Sequence, residues 1–119
     1  MARDYGRVST AFWNSRDVRP LSDQGKLLAN YLLSNPHSNC IGAYLLPDAY
    51  VADDLGWTAE KVSKAFAELF RNGFATRFED RRHICICKYL TWNPIENPNV
   101  GKAALKQLEQ LPDDPFGLV

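Results

Sequence analysis

The sequence lacks the features that mark several large classes of protein. No apolar run approaches the ~18–20 residues of a membrane-spanning helix, and Met1 to Gly6 lack the apolar core of a secretory signal. Three cysteines, an odd number, argue against a disulfide framework. Lys and Arg together number 14, as do Asp and Glu, so the formal net charge is zero. We therefore expect a cytoplasmic protein without a membrane partner, and not a strongly basic, nonspecific nucleic-acid binder.

Signatures of catalysis are missing as well. The chain has no glycine-rich phosphate loop, no nucleophile elbow and no pair of carboxylates in an evident cleft. A cysteine could pair with a histidine, but no third group stands at a recognisable spacing to orient them. The sequence thus predicts no enzyme activity and no cofactor.

Five residues of the types that bind zinc are present. Ligands two apart along a strand lie about 6.5 Å apart at the backbone, unlike the tight knuckles of zinc sites. Cysteine is also an ordinary buried residue in an apolar strand. We predict packing and no metal for these residues, which are His37, Cys40, His83, Cys85 and Cys87.

What is present is a helix, turn, helix and hairpin between residues 46 and 89. Asp48 to Leu55 predicts a helix closed by Gly56, and Thr58 can cap a second helix that ends at Gly73. Strands are expected over 74–78 and 83–89, with a charged turn at 79–82. The apolar stripe of the second helix recurs at i, i+3, i+4, i+7, i+8 and comprises Val62, Ala65, Phe66, Leu69 and Phe70.

Flanking patterns complete the predicted α+β domain. Arg7 to Trp13 alternates like a short strand, and Leu21 to Leu33 has a helical stripe that includes Leu27. Cys40 to Leu46 is interpreted as a strand that pairs either with the first strand or with the hairpin. A last helix is expected over 102–111, with its inward residues at Ala104, Leu105, Leu108 and Leu111. We predict a winged helix-turn-helix over 1–112, with a three-helix core, a small antiparallel sheet and a C-terminal helix, followed by a tail or linker over 113–119.

Charge is concentrated where such a fold would meet DNA. Residues 60–90 carry seven basic and four acidic groups. A helix that reads a groove needs small residues, hydrogen-bonding groups and cations, whereas Glu60 and Glu68 would be repelled by phosphate. The alternative is a solvated helix with the pairs Glu60–Lys64 and Lys64–Glu68. The predicted contacts with duplex DNA are Lys61, Ser63, Lys64, Arg71, Arg77, Arg81 and Arg82.

Three stretches together carry a family resemblance. They are Tyr5-Gly6-Arg7-Val8 with Phe12-Trp13, the helix from Leu21 to Leu33, and Trp92 to Pro98. The chain resembles the N-terminal winged-helix domains of phage and prophage replication proteins, of the replisome-organiser and DnaD-like type. The resemblance implies non-catalytic origin or single-strand binding, or bridging to a helicase loader or another replication protein.

The same resemblance keeps a second function open. In DnaD-like proteins the N-terminal winged helix serves largely for self-association, which agrees with the zero net charge of this chain. A protein-interaction module or homodimer without DNA contact is therefore the alternative. Its expected surface is built from Trp13, Trp92 and Ile95, since exposed apolar patches mark association sites.

Overall fold

The computed structural model describes residues 6–93 and 98–111, which form an α+β arrangement. Five α-helices, a short 3-10 helix and one three-stranded antiparallel sheet make up this part of the chain. Within it, no helix is long and apolar enough to cross a membrane. After the 3-10 helix at Thr10–Asn14, the elements are α1 Asp23–Ser34, β1 Ala43–Leu45, α2 Asp48–Leu55, α3 Ala59–Arg71, β2 Ala75–Arg77, β3 His83–Ile86, α4 Tyr89–Trp92 and α5 Pro98–Glu109.

The α2–α3 pair begins and ends where the sequence predicts. Gly56 ends α2 in the left-handed conformation, with φ of 67°, and Thr58 caps α3 by accepting a hydrogen bond from the Lys61 N–H. Gly73 follows α3 with φ of 79°. Glycine takes this conformation with little cost, so both turns are fixed locally by the sequence.

The sheet places its last strand in the middle. β3 pairs with β1 on one side and with β2 on the other, both antiparallel. Tyr44 faces Ile84 across the first ladder, and Thr76 faces Cys85 across the second. This order and the preceding helices are compatible with a winged-helix layout.

One core joins the helices to the sheet. α1 and α3 turn their apolar stripes toward each other, and the inward side chains of β3 close the space behind them. At about 25 cal/mol per Å² of apolar surface, burial of this set is the main stabilising contribution to the fold. Its largest fully buried side chains are Phe12, Phe74, Leu28, Leu32, Leu33, Leu46, Leu69, Ile84, Ile86, Val18, Val51 and Val62.

The predicted strand over Arg7 to Trp13 is wrong. Residues Thr10–Asn14 form a 3-10 helix capped by Ser9, and Phe12 is the residue it buries. β1 therefore pairs with the hairpin strand β3, which is the second of the two pairings that the sequence left open for it. The period-two pattern was weak because apolar side chains stood at both Phe12 and Trp13.

The second strand of the hairpin is shorter than predicted. It ends at Ile86, and Tyr89 begins the short helix α4, which the sequence pattern did not predict. Tyr89 is buried beside Gly42, whose φ is 72° and where an added Cβ would overlap the Tyr89 ring. The chain leaves the sheet here, and the Tyr89 ring covers Gly42.

Four predicted inward side chains are exposed. Phe70 is only partly covered, and Leu27 of α1 lies half in solvent. On α5, Ala104 is buried while Leu105 and Leu108 are 63% and 58% exposed. An apolar stripe predicts an amphipathic helix but does not say which neighbour will cover it. The predicted tail over 113–119 lies outside the described residues.

Candidate nucleic-acid interface

The outer face of α3 is a continuous exposed strip, which we call the α3 ridge. Val62, Ala65 and Leu69 anchor the opposite side of the helix in the core. Because these residues recur at helical spacing, the remaining positions are presented together on one face. The ridge consists of Glu60, Ser63, Lys64, Ala67 and Arg71.

One flank of the ridge borders the hairpin across a groove of about 350 Å³, which we call the wing groove. From the hairpin, Arg81 reaches this groove, and its φ of 61° places it at the left-handed position of the turn. The turn itself is closed by an Arg81 N–H hydrogen bond to the Phe78 carbonyl, 2.9 Å long. The groove is lined by Ser63, Phe66, Ala67 and Phe70 of α3, with Asp48, Arg77 and Arg81.

Asp80 holds the turn together. Its carboxylate accepts hydrogen bonds from the N–H groups of Arg82 and His83 at 2.9 and 3.0 Å, and it contacts the His83 ring at 2.5 Å. Slight burial tends to raise the pKa of Asp80, but these hydrogen bonds and the nearby His83 lower it overall. Asp80 thus orders the backbone of the turn.

Arg77 is engaged inside the protein. Its guanidinium donates to the Leu46 carbonyl at 2.6 Å, pairs with Asp48 at 2.5 Å and lies 4.6 Å from the centre of the Phe66 ring. Burial lowers the pKa of Arg77, against the opposing effect of Asp48. This predicted DNA contact therefore fastens β2 to the start of α2, and we leave it out of the interface.

Lys61 also contacts another side chain of the protein. Its ammonium lies 4.8 Å from the centre of the Trp57 ring, in the turn between α2 and α3, where it makes a cation–π contact. By contrast, the other four cations among the predicted DNA contacts are exposed and form no ion pair with any residue that the structure describes. They are Lys64, Arg71, Arg81 and Arg82.

Glu68, at the α1 side of the ridge, has a structural partner. Its carboxylate accepts the Ser22 N–H at 2.8 Å and the Ser22 hydroxyl at 2.7 Å, while the same hydroxyl caps α1 by accepting from the Gly25 N–H. The carboxylate therefore lies at the positive end of the α1 dipole, which offsets part of its charge. Sequence reasoning counted Glu68 against DNA binding because a partner 46 residues away gives no local signal.

The histidines and cysteines do not converge on a metal site. No group of three potential ligands close enough to hold a metal ion occurs among residues 6–93 and 98–111. His37 contacts Asp54 at 3.0 Å, and Cys40 lies 2.9 Å from the Gln107 side-chain oxygen. Burial raises the pKa of the Cys85 and Cys87 thiols, which disfavours the thiolate that a metal needs.

A second, larger open cleft lies away from the wing groove, between α5, β1 and the loop after α1. Both histidines line it, beside Tyr50 and Lys106. Each histidine is paired with an aspartate, His37 with Asp54 and His83 with Asp80.

The predicted interaction surface is described only in part. Trp13 is 55% exposed, and its ring packs edge-on against Phe12 with centroids 4.8 Å apart. The Trp92 side chain and all of Ile95 lie outside the described residues. Whether the three form one patch therefore stays a prediction.

Comparison with known proteins adds no relative. No family model matches the chain, and no curated protein or solved structure matches it either. The functional argument consequently rests on the α3 ridge, the wing groove and the charges around them.

Proposed function

We propose that this chain is a winged helix-turn-helix domain that binds duplex DNA through the α3 ridge and the hairpin. In this proposal α3 enters the major groove and the turn at 79–82 lies along the backbone. The domain would act without catalysis, in the cytoplasm, in phage-type DNA replication or its control. The sequence resemblance supports the replication role.

The arrangement of charge carries the proposal. Lys64 and Arg71 stand on the ridge, with Arg81 and Arg82 on the adjoining turn, and all four are exposed. The acid next to them, Glu68, is held by Ser22. Cations flanking small side chains such as Ala67 meet the requirements for close approach to a groove with phosphates on either side.

The test is fluorescence anisotropy of a labelled duplex at low and physiological salt. Four phosphate contacts predict that log affinity falls with log salt at a slope of roughly −3.6, since each contact contributes about −0.9. The double variant Lys64→Ala, Arg71→Ala should bind more weakly and reduce the magnitude of the slope by about 1.8.

Lys102→Ala is the matched control, because it removes one exposed cation from α5. It should leave the slope unchanged. A duplex that does not bind even at low salt would refute the proposal, and equal losses in the control and the ridge variants would refute the placement of the interface.

Exposed side chains on α5 favour a second candidate, self-association. Leu105 and Leu108 lie one turn apart and are both more than half exposed. Such a pair gains free energy when a second apolar surface covers it. Light scattering should then detect a dimer that Leu105→Ser and Leu108→Ser convert to monomer, without change in DNA binding.

A further inference from the structure

We infer that the wing groove accepts an unpaired nucleobase, so that the interface also binds single-stranded DNA. The inference rests on the proposed function, because it assigns a second form of DNA to the same site. It concerns the flank of the α3 ridge that faces the hairpin, and it leaves the duplex contacts of Lys64 and Arg71 as they are.

An aromatic wall is the first observation. Phe66 and Phe70 are stacked, with ring centroids 5.5 Å apart and an interplanar angle of 25°. Phe66 is buried and holds its neighbour in place, whereas Phe70 is 37% exposed and lines the groove. Aromatic side chains presented in a cationic groove are the usual platforms on which unpaired bases stack.

The opposite wall supplies a cation of suitable shape. Arg81 enters the groove from the turn, and a planar guanidinium can stack on a base or pair with its phosphate. The acid in the groove, Asp48, is already neutralised by Arg77. The charge left facing a ligand is therefore positive.

The space between the walls is large enough for a base. The groove measures about 350 Å³, and the small side chains of Ser63 and Ala67 leave its α3 side open. Ser63 also offers a hydroxyl that can donate to or accept from the edge of a base. A duplex keeps its bases stacked on one another, so only an unpaired strand can place a base against Phe70.

The experiment compares three labelled ligands by fluorescence anisotropy: oligothymidine of about 16 nucleotides, an abasic strand of equal length, and a duplex. Phe70→Leu keeps the bulk of the side chain and removes its π face. Loss of one stacked base weakens binding about fivefold to 150-fold. We expect that loss for oligothymidine, with less than about a twofold change for the duplex and the abasic strand.

Two further variants isolate the role of the ring. Phe70→Tyr retains stacking and should bind oligothymidine like the parent protein, which keeps the test informative if Phe70→Leu lowers stability. Tyr50→Leu removes a comparably exposed aromatic side chain from the larger cleft beside α5, and it should not change the affinity for any of the three ligands. Circular dichroism melting verifies that each variant is folded.

The outcomes separate the two proposals. Binding of the duplex but not of oligothymidine overturns this inference alone, as does a Phe70→Leu loss that is equal for oligothymidine and the abasic strand. An absence of binding to every ligand at low salt overturns both this inference and the proposed function. Stronger oligothymidine binding by the parent and Phe70→Tyr than by Phe70→Leu supports the inference.

Discussion

Replacement of Gly25 by alanine should destabilise the protein, although alanine is the better helix former. Gly25 lies in the first turn of α1, and an added Cβ would overlap the Glu68 oxygen Oε1. That oxygen accepts the Ser22 hydroxyl, and its partner oxygen accepts the Ser22 N–H. A capping box normally takes this carboxylate from the third helical residue. Here that residue is glycine, and α3 supplies the carboxylate instead.

The magnitude follows from two opposing effects. Alanine in place of glycine favours a helix by up to about 1 kcal/mol. To admit the Cβ, Glu68 must move away and lose two hydrogen bonds, each worth about 1 kcal/mol at this exposed site. The net change for Gly25→Ala is therefore a loss of about 1 kcal/mol in the free energy of unfolding. In a Glu68→Ala background the overlap is gone, and the same replacement should stabilise by about 0.5 kcal/mol because Leu21 still crowds the site.

A double-mutant cycle measures this reversal of sign. Urea unfolding of the parent, both single variants and the double variant gives four free energies, whose coupling should be about 1.5 kcal/mol. Glu68→Gln is the matched control, since it keeps the size of the side chain and one acceptor oxygen. If Gly25→Ala has the same effect with and without Glu68, the proposed capping by α3 is refuted.

Two other predictions concern hydrogen bonds away from the ridge. Tyr44→Phe should lower the free energy of unfolding in urea by about 1–3 kcal/mol, because the buried hydroxyl donates to the Leu32 carbonyl and accepts from Asn35. The control Tyr50→Phe, at an exposed ring, should change the free energy of unfolding by less than about 0.5 kcal/mol. Equal effects of the two substitutions would contradict the reasoning. The pKa of Asp80 is lowered in the folded state, so its contribution is fully present above the ordinary value of 3.8 and is lost as pH falls through the lower folded value. The difference in free energy of unfolding between the parent and Asp80→Asn should therefore shrink as the pH falls below 3.8. A difference that stays constant would count against the hydrogen bonds that Asp80 makes in the turn.

The sequence was most informative where structure is determined by near neighbours. Thr58 caps α3, Gly56 and Gly73 take left-handed conformations, and most of the apolar stripe between them faces the core. Each of these features depends on residues within one or two turns of the helix. The order of helix, turn, helix and hairpin could be predicted for that reason.

Features that depend on distant partners could not be predicted. The carboxylate that caps α1 comes from α3. Arg77 of β2 is held by Leu46 and Asp48, which follow β1 at the opposite edge of the sheet. Phe70 continues the apolar stripe of α3, yet it borders a groove because the hairpin stops short of covering it. Periodicity gives the direction of a side chain and leaves open what, if anything, lies against it.

The zero net charge of the chain is consequently a poor guide to DNA binding. Exposed charges are screened over about 8 Å at physiological salt, so a ligand on the ridge responds mainly to nearby groups. Several acids are held by partners in other parts of the described structure, as with Asp17 and Lys88 at 3.1 Å. The acids left on the ridge and the turn beside it are Glu60 and Glu79, against the four exposed cations Lys64, Arg71, Arg81 and Arg82. A balanced total thus leaves a locally positive surface, and the salt dependence of the proposed duplex binding should reflect these four side chains and not the whole chain.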